Sequence, residues 1–227
     1  MSAARSRIKG VLFDLDGTLV DSAPDLAAAA NRLRADHGLP PLPLEQLRPL
    51  VGSGARGMVG VAFGVKPGDS RFEELRDAFL AHYERGLLDT TRPFAAVEPL
   101  LAELERAGLP WGIVTNKITR YTRPIVAGLG LERRAAVVVC GDTTPHAKPH
   151  PAPLLYAAVA LGLEPDEVVY VGDDQRDAQA ARAAGMAMVV ATWGYLGVGE
   201  PVAQWGGDLL AAEPGDLMRW LREAPGE

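Results

Sequence analysis

Five short apolar runs, rich in β-branched residues, are each closed by Gly, Asp or Asn: Val11 to Leu15, Trp111 to Thr115, Ala136 to Cys140, Val168 to Gly172 and Ala187 to Ala191. Polar residues do not alternate through them, which is the pattern of strands covered on both faces. Around the later four runs the apolar positions fall at helical spacing, in segments that stop at a glycine. These are Ala96 to Ala107 before Gly108, Arg120 to Leu129 before Gly130, Pro151 to Leu161 before Gly162, and Gln175 to Ala184 before Gly185. Strand and helix alternate, which predicts an α/β fold with a Rossmann-like parallel sheet and helices on both faces.

The first connection breaks the rhythm. About 90 residues separate the first strand from Trp111, where a crossover needs only a dozen or more. The intervening stretch carries helical patterns at Leu26 to His37, Leu44 to Leu50, Gly57 to Phe63 and Ser70 to Leu88. Ser22-Ala23-Pro24-Asp25 reads as a capping box with an early Pro ahead of the first of them. The expectation is a helical cap domain, residues 21–90, inserted into an α/β core made of residues 1–20 and 91–227.

Composition narrows the function classes. The 227 residues are 48% hydrophobic and 23% charged, as in an ordinary folded protein, and the net charge of −6 argues against a broad nucleic-acid or membrane surface. Cys140 is the one cysteine, which rules out an internal disulfide and reads as a core thiol. The basic start with Arg5, Arg7 and Lys9 meets Asp14 too soon for a signal peptide, and no run approaches a membrane span. A cytoplasmic protein is expected, a monomer or small homo-oligomer.

The chemistry lies where the strands end, because ligands of open α/β sheets sit outside the carboxyl ends of the strands. The first strand ends in Asp14 and Asp16, followed by Gly17-Thr18, and the second in Thr115-Asn116-Lys117. Lys148-Pro149 follows the third, and the fourth closes with Gly172-Asp173-Asp174 and then Asp177. Clustered carboxylates call for a shared cation, and Mg²⁺ suits oxygen ligands together with a substrate phosphate. The phosphate would be held by the Thr115 hydroxyl, by N–H groups around Gly17 and Asn116, and by the Lys148 ammonium. A carboxylate facing such a phosphate can attack phosphorus, a role for Asp14. A second one two residues on can protonate the leaving oxygen and later activate water, a role for Asp16. The expected partner is a small phosphorylated molecule.

With these motifs in order, the chain resembles the haloacid dehalogenase superfamily of phosphatases and phosphotransferases from Gly10 to about Ala191, and the inserted helices resemble its first-position cap. The resemblance implies Asp14 as nucleophile, Asp16 as acid/base, and Thr115 and Lys148 as phosphate ligands. It also implies Mg²⁺ held by Asp14, the Asp16 carbonyl and Asp173, with Asp177 behind them. Dehalogenases of the superfamily lack the second aspartate, so Asp16 favours a phosphatase. Within it the chain is similar to the phosphoglycolate phosphatase branch, and more closely to N-acetylmuramic acid 6-phosphate phosphatases of peptidoglycan recycling. RADHGLPP at 34 to 41, GARGMV at 54 to 59, FEELRDAFL at 72 to 80, WGIVTNK at 111 to 117 and VGDDQRD at 171 to 177 carry that likeness. Asp174 stands where the broader branch often has Ser. A phospho-receiver module and a phosphosugar mutase are the remoter alternatives.

Other motifs carry less. Gly52-Ser53-Gly54-Ala55-Arg56-Gly57 matches a dinucleotide fingerprint but follows no strand. It is expected to be a flexible cap loop over the phosphate site, with Ser53 and Gly54 facing substrate and Arg56 able to pair with a substrate carboxylate. His146 and His150 sit among prolines and read as loop histidines, not zinc ligands. The D-x-D-G start lacks the acids of a calcium loop. Trp193, Tyr195 and Trp205 read as packing.

Overall fold

The computed structural model describes residues 8–223. Arg5 and Arg7, and the outermost residues of the expected core domain, lie outside the described residues. A six-stranded parallel sheet in the order β5-β4-β1-β6-β7-β8 forms the centre. Its strands are β1 (Gly10–Phe13), β4 (Trp111–Val114), β5 (Val137–Val139), β6 (Val168–Gly172), β7 (Ala187–Ala191) and β8 (Leu209–Ala211). β1 lies between β4 and β6, with Val11 opposite both Trp111 and Val169.

Strand periodicity divides these residues between two apolar layers. Val11, Phe13, Ile113, Val169 and Val171 face one layer, closed by helices α5 (Val97–Arg106), α6 (Thr119–Gly128) and α9 (Gly215–Arg222). Leu12, Val114, Val168 and Tyr170 face the other, closed by α7 (Ala152–Leu161) and α8 (Gln175–Ala184). Both faces of β1 are therefore dry, which explains its unbroken apolar run.

The first connection holds α1 (Ala23–Asp36), α2 (Leu44–Leu47), α3 (Gly54–Phe63) and α4 (Phe72–Glu84). A two-stranded antiparallel ribbon, β2 (Val20–Asp21) against β3 (Arg92–Pro93), stands at the two ends of this insertion. The insertion shares the larger apolar cluster with the sheet, through residues such as Leu26, Phe79 and Tyr83.

Three expectations need correction. The helix expected over Leu44 to Leu50 ends at Leu47, and a 3₁₀ turn spans Arg48–Ser53, because Pro49 has no N–H to continue the α ladder. The stretch expected as a flexible loop is helical, the 3₁₀ turn running into α3 at Gly54. The capping box does not form: the Ser22 hydroxyl donates to Asp16 Oδ1 instead. The Asp25 carboxylate, with 2% of the residue exposed, accepts from Thr90 N–H at 2.9 Å, Thr91 N–H at 2.8 Å, the Thr91 hydroxyl at 2.7 Å and the Thr90 hydroxyl. A box meant to end a helix thus ties α1 to the returning chain. Edge strand β8 and helix α9 escaped the sequence reading: β8 is three residues long and exposes Leu210.

Candidate active site

The strand ends that looked chemical do converge, and Lys148 stands at the centre of them. Its ammonium, in a side chain 2% exposed, lies 3.0 Å from Asp14 Oδ1 and 2.8 Å from Asp177 Oδ1. It also donates to the Val114 carbonyl at 3.0 Å and the Tyr170 hydroxyl at 2.7 Å. The loop carrying it is clipped to β4 by the Asn116 amide, which donates to the Lys148 carbonyl and accepts from its N–H, both at 2.9 Å. Asn116 is thereby seen as a brace for Lys148. Burial pushes the Asp14 carboxyl up to about 7, against the pull of the Lys148 ammonium and helped by repulsion from Asp177 and Asp16. Burial also works against the Lys148 charge, but Asp14 and Asp177 outweigh it and hold that pKa above the ordinary lysine range.

Asp14, Asp173 and Asp177 offer oxygens within 4.8 Å of one another. Burial first, then the charges of Asp14 and Asp177, push Asp173 well above the usual carboxylate range. An all-oxygen, electron-rich cluster of this kind fits a hard divalent cation. The oxygens of Asp177 are engaged by Lys148 and by the Asp174 N–H at 3.1 Å, where Asp177 closes a capping box at the start of α8. Asp173 is oriented by the Thr18 hydroxyl at 2.9 Å on Oδ1 and the Tyr195 N–H at 2.8 Å on Oδ2. The D-x-D-G-T spacing acquires a reason here. Gly17 has φ +86°, and a Cβ on it would meet Asp173 Oδ2 at 2.1 Å, so only glycine lets the two loops approach.

The Asp16 side chain stands apart from that cluster. Lys117 donates to its Oδ1 at 2.7 Å and to the Tyr83 hydroxyl of the cap, also at 2.7 Å, while Ser22 donates to the same Oδ1. Burial disfavours the Lys117 charge, but Asp16 and Tyr83 overcome it and raise the pKa. Thr115 is buried, its oxygen accepting from the Lys117 N–H at 3.1 Å.

A cavity of about 360 Å³ opens over these groups. Phe79, Leu80 and Tyr83 of α4 line it together with Ile118 and Tyr121, the Tyr83 and Tyr121 rings lying 5.8 Å apart. Residues 51–55 of the inserted segment line it as well, with Gly52 beside Asp174 and Arg176. Ser53 and Gly54 thus sit where a cap contact was expected, but Arg56 is exposed and does not line the cavity. The cation beside Gly52 is Arg176, reachable in sequence only through VGDDQRD. Lys117, Tyr83 and Thr18 were likewise given no role from sequence, and Ser22 only that of a helix cap.

His146 and His150 stack with centroids 4.4 Å apart on an exposed loop. Tyr195 and Trp205 are buried, and Trp193 donates to the Thr18 carbonyl at 3.1 Å. Cys140 is buried. Among the described residues no helix is long and apolar enough to cross a membrane.

Known proteins resemble this chain over nearly its whole length. A family model described as haloacid dehalogenase-like hydrolase matches residues 11–191. The N-acetylmuramic acid 6-phosphate phosphatase of Pseudomonas aeruginosa is 42% identical over 220 residues, covering 97% of each chain. The phosphoglycolate phosphatase of Xanthomonas campestris pv. campestris is 48% identical over 210 residues, 92% of this chain and 94% of its own. A crystal structure described as a predicted phosphoglycolate phosphatase from Haemophilus somnus superposes with a TM-score of 0.83 at 32% identity, over 94% of this chain and 97% of that one.

Proposed function

The chain belongs to the haloacid dehalogenase-like hydrolases and is a phosphatase of that family, and on that premise we propose that it is a Mg²⁺-dependent phosphomonoesterase acting on N-acetylmuramic acid 6-phosphate through a phosphorylated Asp14. Asp14 Oδ1 is occupied by Lys148 and by the Leu15 N–H at 2.8 Å, which leaves Oδ2 to attack phosphorus. As the O–P bond forms, the ester P–O bond breaks and the departing sugar oxygen takes a proton from Asp16. Asp16 Oδ1 is engaged by Lys117 and Ser22, so its Oδ2 is the oxygen that meets the leaving group. In the second half Asp16 removes a proton from the water that attacks the aspartyl phosphate, releasing phosphate and restoring Asp14. Asp14, Asp173 and the Asp16 carbonyl would hold the cation, which when bound supplies neutralisation of charge on the phosphoryl oxygens.

The observation that carries the substrate is the mixed lining of the cavity, with aromatic and aliphatic side chains as well as charged ones. A sugar phosphate with N-acetyl and lactyl methyl groups covers apolar side chains such as Phe79, Leu80, Ile118 and Tyr121, whereas a two-carbon acid leaves them bare. The specific support for 2-phosphoglycolate is the 48% identity to a relative named for it. The test is kcat/KM for both substrates side by side with Mg²⁺ and an EDTA control. A preference of roughly 100-fold, about 2.7 kcal/mol, for the muramic substrate supports the proposal; the reverse preference replaces it with glycolate salvage. Asp14→Asn is expected to abolish turnover with the fold intact, and full activity in that variant would end the covalent route. Free phosphate as the product separates hydrolysis from a mutase, and multiple turnover separates it from a receiver module.

A further inference from the structure

Arg176 has no task in the phosphoryl transfer described above, yet it is held with care. Asp174 grips it with two near-parallel hydrogen bonds, Nε to Oδ1 at 2.7 Å and Nη2 to Oδ2 at 2.8 Å, and accepts its backbone N–H at 2.9 Å as the N-cap of α8. Nη2 also donates across the cavity edge to the Gly52 carbonyl of the cap. These contacts leave the two Nη1 protons without a hydrogen bond among the described residues, on a side chain 35% exposed that lines the cavity. A guanidinium splinted in this way loses little freedom when it takes an acidic ligand, and its planar donors suit a carboxylate.

The other cations lining the cavity are differently engaged. Lys148 faces two carboxylates, a carbonyl and a hydroxyl, more partners than its three protons can serve. Lys117 stands on Asp16, where the ester oxygen leaves, and is buried against Tyr83. Arg176 lines the cavity beside Gly52, held there by Asp174. We infer that Arg176, splinted by Asp174 beneath the Gly52–Gly54 turn, is the receptor for the carboxylate that the substrate carries in addition to its phosphate. The inference rests on the proposed sugar-phosphate reading and adds to it the residue that tells a carboxylated phosphosugar from a plain one.

The experiment compares N-acetylmuramic acid 6-phosphate with N-acetylglucosamine 6-phosphate, the same sugar without the lactyl ether that bears the carboxylate, in the wild-type enzyme, Arg176→Gln and Arg176→Lys. Wild type is expected to prefer the muramic substrate. Arg176→Gln is expected to lower kcat/KM for it by roughly 10- to 100-fold, the range for losing a charged hydrogen bond, and to bring the ratio of the two substrates toward one. Arg176→Lys, which keeps the charge but not the fork, is expected to restore part of that ratio. A ratio unchanged in Arg176→Gln overturns the inference and leaves the proposed substrate standing. Equal losses on both sugars also overturn it, since they would make Arg176 a cap brace alone. A wild-type enzyme that treats both sugars alike overturns the substrate reading itself, and the receptor with it.

Discussion

Asp25 shows how a single side chain can be redirected from its local role. Burial alone would raise its pKa; the hydrogen bonds from Thr90 and Thr91 overcome that and hold it below the ordinary carboxylate value. The folded state therefore binds a proton at Asp25 less readily than the unfolded chain does. Its contribution is complete above the unfolded carboxylate pKa, near 4, and is lost as pH falls through the lower folded value. Asp25→Asn is expected to lower stability at neutral pH by about 1–3 kcal/mol, with the gap to wild type narrowing below about pH 4. Urea unfolding across that range measures it, and a gap independent of pH would show that the charge of Asp25 contributes nothing. The same local logic failed at Ser22, whose hydroxyl prefers the Asp16 carboxylate to the helix N-terminus. A charged acceptor makes the stronger hydrogen bond, and only the tertiary approach of the two loops supplies it.

At the scale of elements, the active site is a meeting of loops whose spacing is set by close contacts. The 3₁₀ turn of the cap touches the start of α8 where Gly52 faces Asp174, and a Cβ at Gly52 would meet Asp174 Oδ2 at 2.7 Å. That carboxylate cannot swing away freely, because it caps α8 and grips Arg176. Gly52→Ala is accordingly expected to push the cap edge outward, costing about 1–3 kcal/mol of stability as local overpacking does and raising KM more than it lowers kcat. Steady-state kinetics beside a thermal melt check this; unchanged kinetics would mean that the turn relaxes without moving the cavity wall. Elements with strong periodicity were legible in sequence. The strands β1, β4, β5, β6 and β7, of which edge strand β5 is only partly buried, and the helices that end at Gly162 and Gly185 follow from apolar runs and left-handed glycine caps. Edge strand β8 was not legible, since three residues, of which only Ala211 is buried, carry too little pattern.

For the whole molecule, the notable feature is the charge concentrated at one end of the sheet. Asp14, Asp173 and Asp177 share a buried site with one ammonium, that of Lys148. A cation bound by the folded chain and not by the unfolded one stabilises it by mass action, about 2.7 kcal/mol at a hundredfold excess over Kd. Mg²⁺ is therefore expected to raise Tm by roughly 5 to 10 °C, and EDTA to reverse the rise. Asp173→Asn should lose most of that response. A melting curve indifferent to Mg²⁺ in the wild-type protein would argue against a resident cation at this cluster.

The sequence by itself determined which residues arrive at the site from the core. Asp14, Thr115, Lys148 and Asp173 each follow a parallel strand, and parallel strands place all their carboxyl ends on one edge, so order along the chain translates directly into proximity. It also announced an insertion after β1, from the length of that connection. Only the tertiary structure decided how the cap meets the core. The Lys117–Tyr83 and Arg176–Gly52 contacts join residues 34 and 124 positions apart, and no local pattern encodes a contact at such separation. The same docking left Arg56 on the outer face of α3 and gave the inner wall to Arg176, because which face of a helix turns toward a cavity depends on what the opposite face must bury.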